Sequence, residues 1–116
     1  MQTIKFSDAL TLEVTSADNQ LTVFLDADVP GGALVYKAYD HYASGFAPSF
    51  TDKIDLTDAA NQMLVAESSL KLTLVGSNYA GGGQLSFKVS GDSEFTVNEN
   101  LATDTSKQWA VEIQKG

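Results

Sequence analysis

Apolar and polar residues alternate strictly in several short runs of this chain. Between residues 69 and 97, the runs Leu-Lys-Leu-Thr-Leu and Leu-Ser-Phe-Lys-Val flank a glycine-rich connection, and a shorter run, Phe-Thr-Val, follows a polar turn. A period of two indicates strands that bury one face. We therefore predict an antiparallel meander over residues 69–97. Its expected core positions are Leu72, Leu74, Leu85, Phe87 and Val89.

The same alternation appears at both ends of the chain. Apolar runs at 10–14 and 21–25 enclose the polar turn 16–20, which predicts a hairpin over residues 10–25. Trp109, Val111 and Ile113 alternate with polar residues, so we expect the C-terminus to lie in a sheet with these side chains buried.

The remaining stretches predict fewer regular elements. A short strand is expected near Ile4 and Phe6 and another at 33–39, while a helix is expected only near 57–66, with Asp58 as its cap. Residues 40–52 carry aromatic side chains without a regular period and predict a long loop. The chain thus predicts one all-β domain, 1–116, an antiparallel β-sandwich (Ig-like or jelly-roll-like) of seven to nine short strands.

Charge and composition narrow the function. The net charge is −8, all seven basic residues are lysine, and cysteine is absent. Arginine-based phosphate and base contacts, disulfides and thiolate metal sites are therefore excluded, and we expect no nucleic-acid partner. No apolar run approaches the ~20 residues of a membrane span, and no signal peptide is visible, so membrane insertion is not expected.

The sequence contains few residues or motifs that could support catalysis. His41 is the only histidine, its neighbour Asp40 is poorly placed to orient it, and no Gly-x-Ser-x-Gly elbow occurs. Gly81-Gly82-Gly83 precedes a strand rather than a helix, which indicates a turn and not a phosphate loop. We predict no enzyme activity and no obligatory cofactor.

Two binding hypotheses remain beside that conclusion. Asp26, Asp28 and Asp55, from two predicted loops, are candidate oxygen ligands for Ca²⁺. A candidate platform for a glycan is formed by the aromatic residues Tyr36, Tyr39, Tyr42, Phe46, Phe50 and Trp109. A third hypothesis is an acidic mimic of nucleic acid, because residues 1–58 hold nine acidic and three basic residues.

The leading hypothesis is a structural or interaction module that acts by surface complementarity in a multi-subunit assembly. A capsid-decorating or tail-associated virion protein, or a subunit of a microbial surface assembly, fits the composition; a homo-oligomer and a virion or extracellular location are expected. Large apolar side chains in loops, or on a polar strand face, anchor such contacts. The candidate contact residues are Phe24, Tyr42, Phe46, Phe50 and Tyr79.

Overall fold

Nine strands and one short helix make up the part of the chain that the computed structural model describes, residues 1–27, 33–40 and 51–116. The strands form two packed sheets, which confirms the all-β sandwich. The elements are β1 (Gln2–Phe6), β2 (Thr11–Ala17), β3 (Gln20–Ala27), β4 (Ala33–Asp40), β5 (Asp52–Asp55), α1 (Thr57–Met63), β6 (Leu70–Asn78), β7 (Gln84–Ser90), β8 (Glu94–Asn100) and β9 (Thr105–Lys115).

The two sheets differ in the number of their strands, and each combines strands from distant parts of the chain. The five-stranded sheet has the order β1-β9-β6-β3-β4, and the four-stranded sheet has the order β5-β2-β7-β8. Every paired strand is antiparallel to its neighbour except β1, which runs parallel to β9. The predicted placement of the C-terminus in a sheet is confirmed, because β9 lies between β1 and β6.

The core lies between the sheets and consists of the apolar half of each alternating run. The five predicted positions in β6 and β7 are at most 2% exposed. Trp109, Val111 and Ile113 are also buried, as predicted. Ile4 and Phe6 of β1 are fully buried, so this terminal strand belongs to the core.

Two predicted strand pairings are wrong. Residues 10–25 do not form a hairpin, because β2 lies in the four-stranded sheet and β3 in the five-stranded sheet. Residues 69–97 are not a continuous meander for the same reason: β6 and β7 belong to different sheets, and only β7–β8 is a hairpin. Alternation is satisfied equally well by strands that pair within one sheet and by strands that face each other across the core. The pattern therefore fixes the buried face and not the partner.

The helix lies where it was expected, but its start differs. α1 spans Thr57–Met63, and the preceding Leu56 makes no side-chain capping bond. The Oδ1 of Asp55, instead of Asp58, accepts a 3.0 Å hydrogen bond from the Thr57 N–H. No helix among the described residues is long and apolar enough to cross a membrane. The short strand β5 was not predicted, because Asp-Lys-Ile-Asp holds a single apolar residue.

Candidate functional site

Three connections that cross from one sheet to the other meet at one end of the sandwich. They are residues 18–19 (β2 to β3), 79–83 (β6 to β7) and 101–104 (β8 to β9). We call these connections arches and this end of the molecule the arch end. The hairpin turn between β7 and β8 lies at the opposite end. The arch 101–104 is short, because β8 ends at Asn100 and β9 begins at Thr105.

A single asparagine side chain joins two of the arches. The Nδ2 of Asn19 donates to the carbonyl oxygens of Ala80 (3.2 Å) and Gly82 (2.9 Å). Its Oδ1 accepts from the backbone N–H groups of Tyr79 (3.1 Å) and Ala80 (3.3 Å). Asn19 is 6% exposed and has a φ of 67°. Because four of its bonds fix the backbone of 79–82, this arch is held in one shape.

A second asparagine ties the third arch to the same cluster. The Nδ2 of Asn78 donates to the carbonyl oxygens of Gly81 (3.0 Å) and Leu101 (2.8 Å). The Asp104 N–H donates to the Asn78 carbonyl (2.8 Å), and the Leu101 N–H donates to the Gly83 carbonyl (2.8 Å). Asn78 is 1% exposed, so this network is buried beneath the surface of the arch end.

Tyr79 lies on the surface above these two networks. It is 47% exposed, and its hydroxyl donates to the Oε1 of Gln20 at 3.0 Å. Ala80, Gly81 and Gly82 beside it are also exposed. Gly81 has a φ of +73°, a conformation that favours glycine. The arch therefore presents a tyrosine ring and bare backbone on a rigid support.

The described residues that flank the segment 41–50 make strand pairings, hydrogen bonds and an ion pair with the rest of the sandwich. Asp40 is paired with Gln20, the residue that accepts from Tyr79. Asp52, at the start of β5, accepts a 2.6 Å hydrogen bond from the hydroxyl of Tyr39, and Lys37 lies 3.7 Å from the same oxygen. Burial, aided by the bond to Asp52, raises the pKa of Tyr39. These contacts tie the edge strand of one sheet, β4, to the edge strand of the other, β5.

The predicted contact residues fall on separate parts of the molecule. Tyr79 is at the arch end. Phe24 lies half-buried on the outer face of the five-stranded sheet, where it is paired with Thr73 of β6. Six residues of an extended strand separate Thr73 from Tyr79, a distance of roughly 20 Å. Phe24 and Tyr79 therefore do not form one surface.

Several predicted site residues lie outside the described residues, namely Tyr42, Phe46, Phe50, His41 and Asp28. The hypotheses of a glycan platform and a Ca²⁺ site therefore stay predictions. Of the candidate Ca²⁺ ligands that are described, Asp26 lies on β3 in one sheet and Asp55 on β5 in the other. Within the described ranges, no group of three or more His, Cys, Asp or Glu side chains could hold a metal ion.

Among the described residues of the first half, the acidic side chains are dispersed. Asp18 is at the arch end, Glu13 lies on the outer face of the four-stranded sheet opposite Lys53, and Asp58 is on α1. Asp26 is on the outer face of the other sheet, directly opposite Lys71. A mimic of nucleic acid needs rows of carboxylates along one face, so this scattered placement counts against that hypothesis.

Sequence reasoning missed the two asparagines that organise the arch end. The sequence placed Asn19 in the polar turn 16–20, where asparagine tolerates a positive φ, and its φ of 67° agrees with that position. The pattern gave no sign of its side-chain hydrogen bonds. Asn78 sits at the end of an apolar run, where nothing in the pattern distinguishes a buried amide from an exposed one. The comparisons with protein-family models, with curated proteins and with solved structures find no match to this chain.

Proposed function

We propose that this chain is a non-enzymatic interaction module of a multi-subunit assembly and that it binds through its arch end. The proposed classes are a capsid-decorating or tail-associated protein of a virion and a subunit of a microbial surface assembly. The proposal covers a homo-oligomer as well as a larger assembly with other subunits.

The observation that carries the proposal is the support beneath Tyr79. When a tyrosine lies on a mobile loop, binding must order that loop, and the lost conformational entropy weakens the affinity for the partner. A loop that is already fixed in the free protein does not lose this entropy on binding. Here the carboxamide of Asn19 fixes both sides of the 79–82 backbone, and Gln20 orients the Tyr79 hydroxyl. Tyrosines held in this way are frequent hot spots of protein interfaces.

The position of Asp40 adds to this argument. Asp40 is paired with Gln20, the residue whose Oε1 accepts from the Tyr79 hydroxyl, so this end of β4 lies at the arch end. The aromatic residues that the sequence marked as contact candidates begin two residues later, at Tyr42. Tyr79 is therefore our preferred described contact residue, and Tyr42, Phe46 and Phe50 stay candidate contact residues from the sequence.

The test is the mass of the native particle, measured by sedimentation velocity and native mass spectrometry over a range of concentrations. We expect the wild-type protein to associate, and we expect Tyr79→Ala to weaken association by about 2 kcal/mol or more if Tyr79 is a hot spot.

Val65→Ala is the matched control. Val65 is 88% exposed and follows α1, away from the arch end, so its loss should leave association unchanged. A wild-type protein that stays monomeric at every concentration, both alone and with the proteins of neighbouring genes, would refute the proposal. Equal effects of the two substitutions would refute the assignment to the arch end.

A further inference from the structure

The strand β9 has an open edge over half of its length. β6 pairs with β9 along one side from Thr105 to Ile113, but β1 covers the other side only from Val111 onward. On that side, residues Thr105–Ala110 have no strand neighbour among the described residues; we call them the upper β9 edge. Thr105, Ser106, Lys107 and Gln108 are all exposed, so no part of the described chain covers this edge.

An open strand edge is a template for another strand. Alternate residues direct their N–H and C=O groups outward, and a second extended chain can satisfy them. Soluble β proteins prevent this by covering the edge, by a bulge or by a charged side chain directed toward the core side of the edge strand.

Lys107 occupies the position where such a device is expected. It is paired with Gly76, whose Cβ position points at Leu85 and Trp109 in the core, so Lys107 lies on the inner face of its sheet. Its ammonium lies 5.7 Å from the centre of the Trp109 ring. An inward-facing charge at an unpaired edge is one of the devices by which natural sheets prevent edge pairing, because a second strand would bury that charge.

The partner of Lys107 comes from the other sheet. Glu99 of β8 is paired with the buried Leu85, which places Glu99 on the inner face of the four-stranded sheet. Its Oε1 accepts a 2.8 Å hydrogen bond from the Nζ of Lys107. The two side chains are 38% and 48% exposed, so the ion pair closes the side of the sandwich while remaining in contact with water.

We infer that the Lys107–Glu99 ion pair prevents the upper β9 edge from pairing with the same edge of a second copy of this chain. The second copy is the relevant partner because of charge. The chain carries −8 overall, but Thr105–Ala110 contains no acidic residue. Acidic side chains of this edge therefore do not keep two copies apart, so this edge needs a specific block.

The block acts through burial of charge. If two upper β9 edges paired antiparallel, residues on the same face would lie opposite each other, and Lys107 would face an inner residue of the second copy. The new strand would cover the space that the ion pair now shares with water. Lys107 would then be desolvated, and in one register it would lie opposite the other Lys107.

The experiment compares Lys107→Val with Lys71→Val. Lys71 is exposed on the outer face of the central strand β6, so both variants lose one positive charge but only the first unblocks the edge. We expect Lys107→Val to lower the dissociation constant for self-association at least tenfold relative to Lys71→Val. Hydrogen exchange should then show new protection confined to amides within 105–110.

A charge swap tests whether the ion pair itself is the block. The double variant Glu99→Lys/Lys107→Glu keeps the pair, and we expect it to associate no more than the wild type and to leave the amides of 105–110 unprotected. The inference is overturned if Lys107→Val behaves like Lys71→Val, if its association leaves 105–110 unprotected, or if these amides are already protected by pairing in the wild type. Because Thr105 directly follows the arch 101–104, the comparison is repeated in the Tyr79→Ala background, where association through the arch end is weakened. Association of Lys107→Val that persists in this background is independent of the proposed function.

Discussion

Asn19 combines two roles that are usually separated between two residues. Its backbone adopts a φ of 67° to turn the chain from one sheet to the other, and its side chain fills all four hydrogen-bonding positions of the amide with the facing arch. Asparagine is enriched in the left-handed region among residues other than glycine. The turn and the bridge therefore favour the same amino acid.

The substitution Asn19→Asp separates these roles. Aspartate tolerates the backbone conformation and keeps the acceptor, but it lacks the N–H groups that reach Ala80 and Gly82. Two part-buried carbonyl groups lose their donor, so we expect the free energy of unfolding to fall by about 1–3 kcal/mol in urea titrations.

Asn98→Asp is the control for that change. The Oδ1 of Asn98 accepts from Ser86 Oγ at 3.0 Å on an exposed face, and aspartate retains this acceptor. We expect stability close to that of the wild type. A loss in Asn98→Asp as large as in Asn19→Asp would mean that added negative charge, and not the missing donors, causes the effect.

At the scale of the element, Gly83 shows why the glycine run is not simply flexible. A Cβ at this position would lie 2.3 Å from the carbonyl oxygen of Leu101 and 2.6 Å from the Nδ2 of Asn78. The third arch thus packs directly on the backbone of the second. We expect Gly83→Ala to destabilise the protein by about 1–3 kcal/mol, because the backbone of 101–104 must shift.

The adjacent Gly82→Ala provides a matched comparison by thermal and urea unfolding. Its Cβ would meet only the Asp18 carboxylate, at 3.2 Å, and that side chain can move. We expect a change within about 0.5 kcal/mol. Equal losses at the two positions would show that chain flexibility, and not close packing, selects the glycines.

The arches also mark the limit of what the sequence predicts about this fold. Alternation identified the long strands and their buried faces, as the fully buried Leu72 and Leu85 illustrate. We predicted that β6 and β7 pair within one sheet, because a short polar connection between two strands is typical of hairpins. That prediction was wrong. What turns this connection into an arch is a set of contacts with residues distant in the chain, chiefly Asn19 and Leu101, and local patterns carry no information about such contacts.

The candidate site was predictable to a similar degree. The exposed Tyr79 followed from its place in a glycine-rich turn, and its exposure confirms this. That Gln20 and Asp40 lie beside it follows only from the register of β3 with β4 and of β3 with β6. Phe24 lies on the outer face of its strand, as the alternation predicted. However, β3 begins at the arch end and runs away from it, so Phe24 is distant from Tyr79.

At the scale of the whole molecule, the end opposite the arches fastens both termini. Asp92, in the β7–β8 turn, accepts from the N–H (3.0 Å) and hydroxyl (2.7 Å) of Ser7, and its own N–H donates to the Lys5 carbonyl (2.7 Å). The N–H of Gly116 donates to the Phe6 carbonyl at 2.8 Å. One carboxylate thus joins the first strand to the other sheet next to the chain's last residue.

This fastening makes stability depend on pH. The hydrogen bonds from Ser7, with a contribution from Lys115, lower the pKa of Asp92 below its ordinary value of 3.8. As the pH falls through that value, the unfolded chain binds the proton first, so this contribution to stability is present above pH 3.8 and is lost as the pH falls through the lower folded-state pKa. We expect Asp92→Asn to be less stable than the wild type at neutral pH and the difference to shrink as the pH falls below 3.8, as measured by urea unfolding at each pH. Asp8→Asn, an exposed neighbour of Ser7, removes the same charge and should show a smaller difference; a deficit in Asp92→Asn that is constant over this range would contradict the role of the carboxylate.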